Sequence, residues 1–199
     1  MGWFLDQERI TQAVAHLLRC EDTDRMQYLK VLKLLYWADR ESLREIGRPV
    51  TGDTAVAMKM GPVLSEVYNY IKGDELTDHD YWDRHFRKDG YDLILADDPG
   101  TSKLSRYDLR MLKDSVDEHA GRDGFGLSEL THEFPEWAHA NMRREWDGRG
   151  SEPIDLRKTM EAVGSSPERI AQVLQERDEE RGYFQFFAGL HDEPERSTR

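Results

Sequence analysis

Residues 56–70 read Val-Ala-Met-Lys-Met-Gly-Pro-Val-Leu-Ser-Glu-Val-Tyr-Asn-Tyr, and this stretch decides how the rest of the chain is organised. A short apolar run suited to an extended strand leads into Gly61-Pro62, and an amphipathic pattern follows. Proline disfavours helical backbone in the residue before it and lacks the N–H that a first helical position does not use. The expected unit is a strand within Thr51–Met60, a hinge at Gly61, and a helix from Pro62 to Lys72 closed by Gly73. Val63, Leu64, Val67, Tyr68 and Ile71 would form its buried face.

Upstream, Asp6 to Cys20 has Ile10, Ala13, Val14, Leu17 and Leu18 on one helical face. Arg25 to Ile46 extends as a long second helix, stopped by Gly47 with Pro49 beyond it. Downstream, Tyr81–Phe86 and Tyr91–Ala96 flank Asp89-Gly90, a pair that favours a β-hairpin turn. Ser105 can cap a helix to His119 with Leu109, Leu112 and Val116 inward. Gly121–Gly126 is a glycine-rich break without the Lys-Ser/Thr ending of a phosphate-binding loop. Leu127–Thr131, Glu136–Arg143 and Ile154–Val163 are short helical pieces, and Ser165-Ser166-Pro167-Glu168 opens a final helix. That helix runs through a charged stretch to Tyr183, Phe184, Phe186 and Phe187, expected to dock, before a frayed tail over 191–199. The fold class expected is α+β, mainly α-helical, with a small antiparallel β-hairpin. Residues 1–190 are expected to form one domain.

The chain has 199 residues, 38% of them hydrophobic and 34% charged, with a net charge of −12 and one cysteine. That charge repels phosphate backbones, so direct nucleic-acid binding is not expected without a local basic patch. An acidic field favours basic protein partners by steering, and it also serves plain solubility. A lone Cys20 allows neither an intramolecular disulfide nor a cysteine zinc cluster, which fits a reducing cytoplasm. No secretory signal and no membrane-spanning stretch are expected.

One residue of the second helix is out of place. Asp39 falls near the centre of the apolar stripe Leu32, Leu35, Tyr36, Leu43 and Ile46, with Arg40 at its edge. An unpaired buried carboxylate is too costly to keep. Either Asp39 is structural, held by an Arg, a His or a loop, or it lines a pocket or interface. His132-Glu133-Phe134-Pro135-Glu136 lacks the second histidine of a zinc-protease helix, and Pro135 would break that helix. The simpler expectation is that His132 packs or hydrogen-bonds across the domain and Trp137 anchors the core. No metal, cofactor or catalytic constellation is expected, and there is no Gly-x-Ser-x-Gly elbow.

Taken in order, several of these segments resemble the Panacea domain, the SocA-like antitoxin family. The resemblance runs from Leu32-Lys33-Leu34-Leu35-Tyr36-Trp37-Ala38-Asp39-Arg40 through Gly47–Gly52 to Met58-Lys59-Met60-Gly61-Pro62-Val63, Val67-Tyr68 and Lys72-Gly73. It resumes at Leu104-Ser105 and at Glu129–Glu133 with Pro135-Glu136-Trp137, so it spans most of residues 5–145. The resemblance implies an antitoxin that neutralises a toxin encoded beside it by direct protein contact. Some relatives are thought to deliver the toxin to an ATP-dependent protease instead, and a less favoured alternative is an enzyme reversing a toxin's modification. It supplies no catalytic residues. The expected partner is a cognate toxin, basic in character, and the recognition surface is expected to be formed or supported by Tyr36, Asp39, Arg40, Met58, Met60, Pro62, His132 and Trp137.

Overall fold

The computed structural model describes Trp3 and residues 5–191, with side chains up to Tyr183. Helix α1 (Gln7–Cys20) starts where the Asp6 carboxylate accepts the Arg9 N–H, and it buries the expected apolar face. The long helix α2 (Tyr28–Ile46) ends at Gly47, whose φ of +72° closes the last turn onto the Leu43 carbonyl. It begins three residues later than its periodicity suggests. Arg25–Gln27 is instead strand β1, because its backbone pairs with residues 92–94 far along the chain.

The 56–70 unit holds the main correction. Strand β2 (Ala55–Met58) turns back into strand β3 (Gly61–Leu64), so Pro62 lies in a strand and not in a first helical turn. Lys59 and Met60 form the tip, and Gly61 takes φ +94°, which a side chain would strain. Pro62 is tolerated because β3 is an edge strand of the sheet β3-β2-β6. Helix α3 (Ser65–Lys72) therefore starts late, and its cap comes from a distance. The Asp53 carboxylate accepts the backbone N–H groups of Glu66 and Val67 at 3.0 and 3.1 Å.

The Asp89-Gly90 hairpin exists, but its first arm is shorter than expected. Helix α4 (Asp80–His85) takes most of the Tyr81–Phe86 segment, leaving strands β4 (Phe86–Asp89) and β5 (Asp92–Leu95) around Gly90-Tyr91. Trp82 is the reason: the α4 turn buries its indole against Tyr70 and Phe86, a contact that lies outside any local strand pattern. With β1 added, the order is β1-β5-β4. Helix α5 (Arg106–Glu118) carries a full capping box between Ser105 and Asp108. The glycine-rich break is shorter than expected, since helix α6 (Gly124–Thr131) begins within it on an Asp123 cap. Helix α7 (Pro135–Trp146), strand β6 (Glu152–Pro153), helix α8 (Leu156–Ala162) and helix α9 (Pro167–His191) complete the described chain.

The architecture is α+β and mainly helical, as expected, and its small antiparallel component is two three-stranded sheets, one of them containing the expected hairpin. One apolar core joins α1, α2, α5 and both sheets, from Ile10 to Ile154, and a smaller cluster of Met160, Ile170 and Val173 seats the start of α9. Tyr183 is 70% exposed; the side chains of Phe184, Phe186 and Phe187, with which it was expected to dock, and the tail over 192–199 lie outside the described residues. Among the described residues, no helix is long and apolar enough to cross a membrane.

Candidate functional site

The eight residues singled out in the sequence fall into two adjacent groups. Met58, Met60, Pro62, His132 and Trp137 belong to a hairpin clip. The carbonyls along the β2–β3 tip are taken up by side-chain donors from three helices. Trp137 Nε1 donates to Met58 O at 3.1 Å, Ser128 Oγ to Met60 O at 2.7 Å, and Lys33 Nζ to Pro62 O at 2.8 Å. The His132 ring stacks on the Trp137 indole, with centroids 4.2 Å apart and planes 14° apart, and its Nε2 is buried without a partner among the described residues. Burial holds His132 below the usual histidine range, which keeps the stacked ring neutral at neutral pH.

Lys33 is the unexpected member of the clip. It is fully buried, and its single carbonyl partner does not offset the loss of water, so burial pulls its ammonium down to about 7. Gly61 makes room for it: a Cβ there would stand 2.8 Å from Lys33 Nζ and 2.6 Å from Thr131 Oγ1. Most of the clip is thus internal support. At the tip, Lys59 and Met60 are exposed, Met60 at 39%.

Tyr36, Asp39 and Arg40 form the second group, on the next two turns of α2, where they line a cleft of about 590 Å³. The other walls are the Pro49–Ala55 segment, the start of α3, the approach to α8, and Arg177 and Arg181 of α9. Asp39 is 4% exposed. Its Oδ1 accepts the Thr51 N–H at 2.9 Å and its Oδ2 accepts the Thr51 hydroxyl at 2.5 Å. Burial outweighs those bonds and pushes the carboxyl up to about 7. Asp53, beside it in the cleft, is raised to about 6, again by burial, despite capping α3.

Glu136 links the two groups. Its buried Oε1 accepts from Tyr36 Oη at 3.1 Å and from Arg40 Nε at 2.7 Å, and the Arg40 guanidinium lies 4.1 Å over the Phe134 ring. Its other oxygen, Oε2, is buried without a partner among the described residues. In the sequence Glu136 figured only as a misfit to a zinc motif and as part of the Pro135-Glu136-Trp137 resemblance, since its partners are 96 and 100 residues away. Lys33 left a clearer signal: a lysine flanked on both sides by apolar residues, Val31-Leu32 and Leu34-Leu35, has no polar face to occupy. Asp53 and Ser128 left none. Among the described residues, no group of three or more His, Cys, Asp or Glu side chains could hold a metal ion.

A family model described as antitoxin SocA-like, Panacea domain, matches residues 31–138, just over half of the chain. The chain belongs to that family. No curated protein and no solved structure matched it. The segment matched to the Panacea domain contains the whole hairpin clip, Glu136, and the cleft residues of α2 and α3. The cleft walls contributed by residues 154–181 lie beyond it.

Proposed function

We propose that this Panacea-domain protein is an antitoxin that neutralises a cognate toxin by binding it directly, with the α2 cleft as the centre of the contact. The observation that carries this reading is the family match itself, whose span includes the cleft floor and the clip that fixes it. The geometry supports a binding role for the cleft. Its volume is in the range that takes a ligand or an inserted side chain, and its walls mix apolar side chains with a few convergent polar groups. The net charge of −12 supports a basic partner, drawn in by long-range attraction in the cytoplasm.

The test is co-expression with the product of the gene adjacent to its own. The adjacent product alone should arrest growth, co-expression of the full chain should restore it, and the two proteins should co-purify. Direct masking also requires that protection survive deletion of the host's ATP-dependent proteases. Failure of the full chain to protect would sink the antitoxin reading, and loss of protection only in the protease-deleted host would replace masking with delivery to a protease.

A further inference from the structure

The four buried carboxylates of the described residues are Asp39, Asp108, Glu136 and Glu152. Three of them have an arginine partner within the fold. Arg9 lies 2.9 Å from Asp108, Arg40 lies 2.7 Å from Glu136, and Glu152 is met by Arg143 at 2.9 Å and Arg149 at 3.2 Å. Asp39 is the exception: among the described residues no Lys, Arg or His nitrogen lies within 4.0 Å of its carboxylate. Asp53 and Glu66, in the same cleft, are likewise without a cation. Burying a carboxylate without a positive partner is costly, and this fold avoids it everywhere but here.

Asp39 also differs in where it is buried, since it faces a cleft whereas Lys33 is closed over by the β2–β3 tip. The cleft's own cation near the floor, Arg40, is committed to Glu136. Arg177 and Arg181 line the cleft from α9, but among the described residues neither lies within 4.0 Å of the Asp39, Asp53 or Glu66 carboxylate, and Arg177 is paired with Asp178. A cation carried on an apolar stem fits the rest of the lining, because Leu43, Leu64, Ile154 and Leu156 line the approach and can cover the stem. A donor for the chain that carries it is also present. The indole N–H of Trp3, another lining residue, is buried without an acceptor among the described residues, as a backbone carbonyl of an inserted segment would require.

We infer that the α2 cleft is a receptor for an arginine or lysine side chain of the toxin, whose charged end completes the ion pair that Asp39 lacks. This rests on the antitoxin reading and names the chemistry of its partner. The buried setting makes such a pair strong and directional, so that a single inserted side chain would act as an anchor of the interface. The raised protonation of Asp39 and Asp53 in the free protein fits a site waiting for positive charge.

The inference is tested on the full chain with two probes, N-acetyl-arginine N-methylamide and its neutral isostere N-acetyl-citrulline N-methylamide, each titrated by nuclear magnetic resonance. The arginine probe should give saturable shifts at the amides of Thr51, Asp53 and Glu66, with the citrulline probe at least about tenfold weaker. Asp39→Asn should weaken the arginine probe by a similar factor, and Glu66→Gln serves if that variant does not fold. Equal binding of the two probes, shifts elsewhere only, or no saturation overturns the inference. In cells, a folded Asp39→Asn or Glu66→Gln variant that has lost probe binding should protect poorly against the adjacent gene's product. If it protects as well as the wild type, the cleft is not the anchor site although the protein is still an antitoxin. If the wild type itself fails to protect, the antitoxin reading falls, and with it the assignment of the side chain to a toxin.

Discussion

Lys33 and Asp39 stand six residues apart on the same helix, both buried, both without an oppositely charged partner, and the protein treats them differently. Lys33 is sealed: the hairpin tip folds over it, its ammonium donates to one carbonyl, and glycine at 61 lets the backbone come that close. Asp39 is held from one side by Thr51 and faces a cleft on the other. A buried charge enclosed by the fold can only be a cost that the hairpin contacts offset. One buried beneath an opening can be relieved by whatever enters. The difference sets a sealed charge and a charge beneath an opening six residues apart on a single helix.

The largest way to break this arrangement is at its link. Glu136→Ala would leave Arg40 with no buried carboxylate and Tyr36 with no acceptor, and should cost about 3–5 kcal/mol of stability in urea denaturation. A loss below about 1 kcal/mol would mean that the two halves are not coupled through this residue. Next comes the seal. Gly61→Ala places a methyl group against Lys33 Nζ and Thr131 Oγ1 at φ +94°, and should cost about 2–3 kcal/mol by the same measurement.

The pH dependence of melting then tests the two charges against each other. The folded-state pKa of Asp39 is raised to about 7, so its stabilising contribution is complete below about pH 4 and is lost as pH rises through 7. The folded-state pKa of Lys33 is lowered to about 7, so its contribution is complete above about pH 10 and is lost as pH falls through 7. Together the two groups should produce a dip in stability near neutrality. Asp39→Asn should flatten the acid side and Lys33→Met the alkaline side, with Lys33→Met raising stability by about 1–2 kcal/mol at pH 6. Unchanged pH profiles in both variants would show that neither group titrates as described. The smallest effect belongs to the rim of the clip. Ser128→Ala removes one donor from the Met60 carbonyl at the half-open tip and should cost about 1 kcal/mol.

The contrast also marks what the sequence could carry. The apolar periodicity of α1, α2 and α5, the stop at Gly47, the cap at Ser105 and the misplaced Asp39 are all local signals, and each is found in the fold. Pro62 was misassigned because Gly-Pro suits a helix start as well as an edge strand, and only pairing with Ala57 distinguishes them. Strand β1 escaped notice for the same reason, since its three residues are extended only because β5 lies beside them. Of the candidate site, the α2 residues were legible through their conflict with the apolar stripe. Glu136, Asp53 and Ser128 were not, because each acts on a partner brought near by the fold and has an ordinary surface-like sequence setting.

Strand β6 is only two residues long, yet it reaches back across the chain to pair with Val56 and Ala57, while the next residue, Ile154, donates its N–H to the Ala55 carbonyl. A lone hairpin is marginal in water, and this late segment makes it a three-stranded sheet before continuing into the far side of the cleft. A chain truncated at residue 138 would keep the region matched to the family but lose that reinforcement and the cleft wall formed by residues 154–181. Exchanging residues 150–183 for those of a relative would therefore change one wall of the cleft while leaving its α2 floor and the residues of the hairpin clip in place.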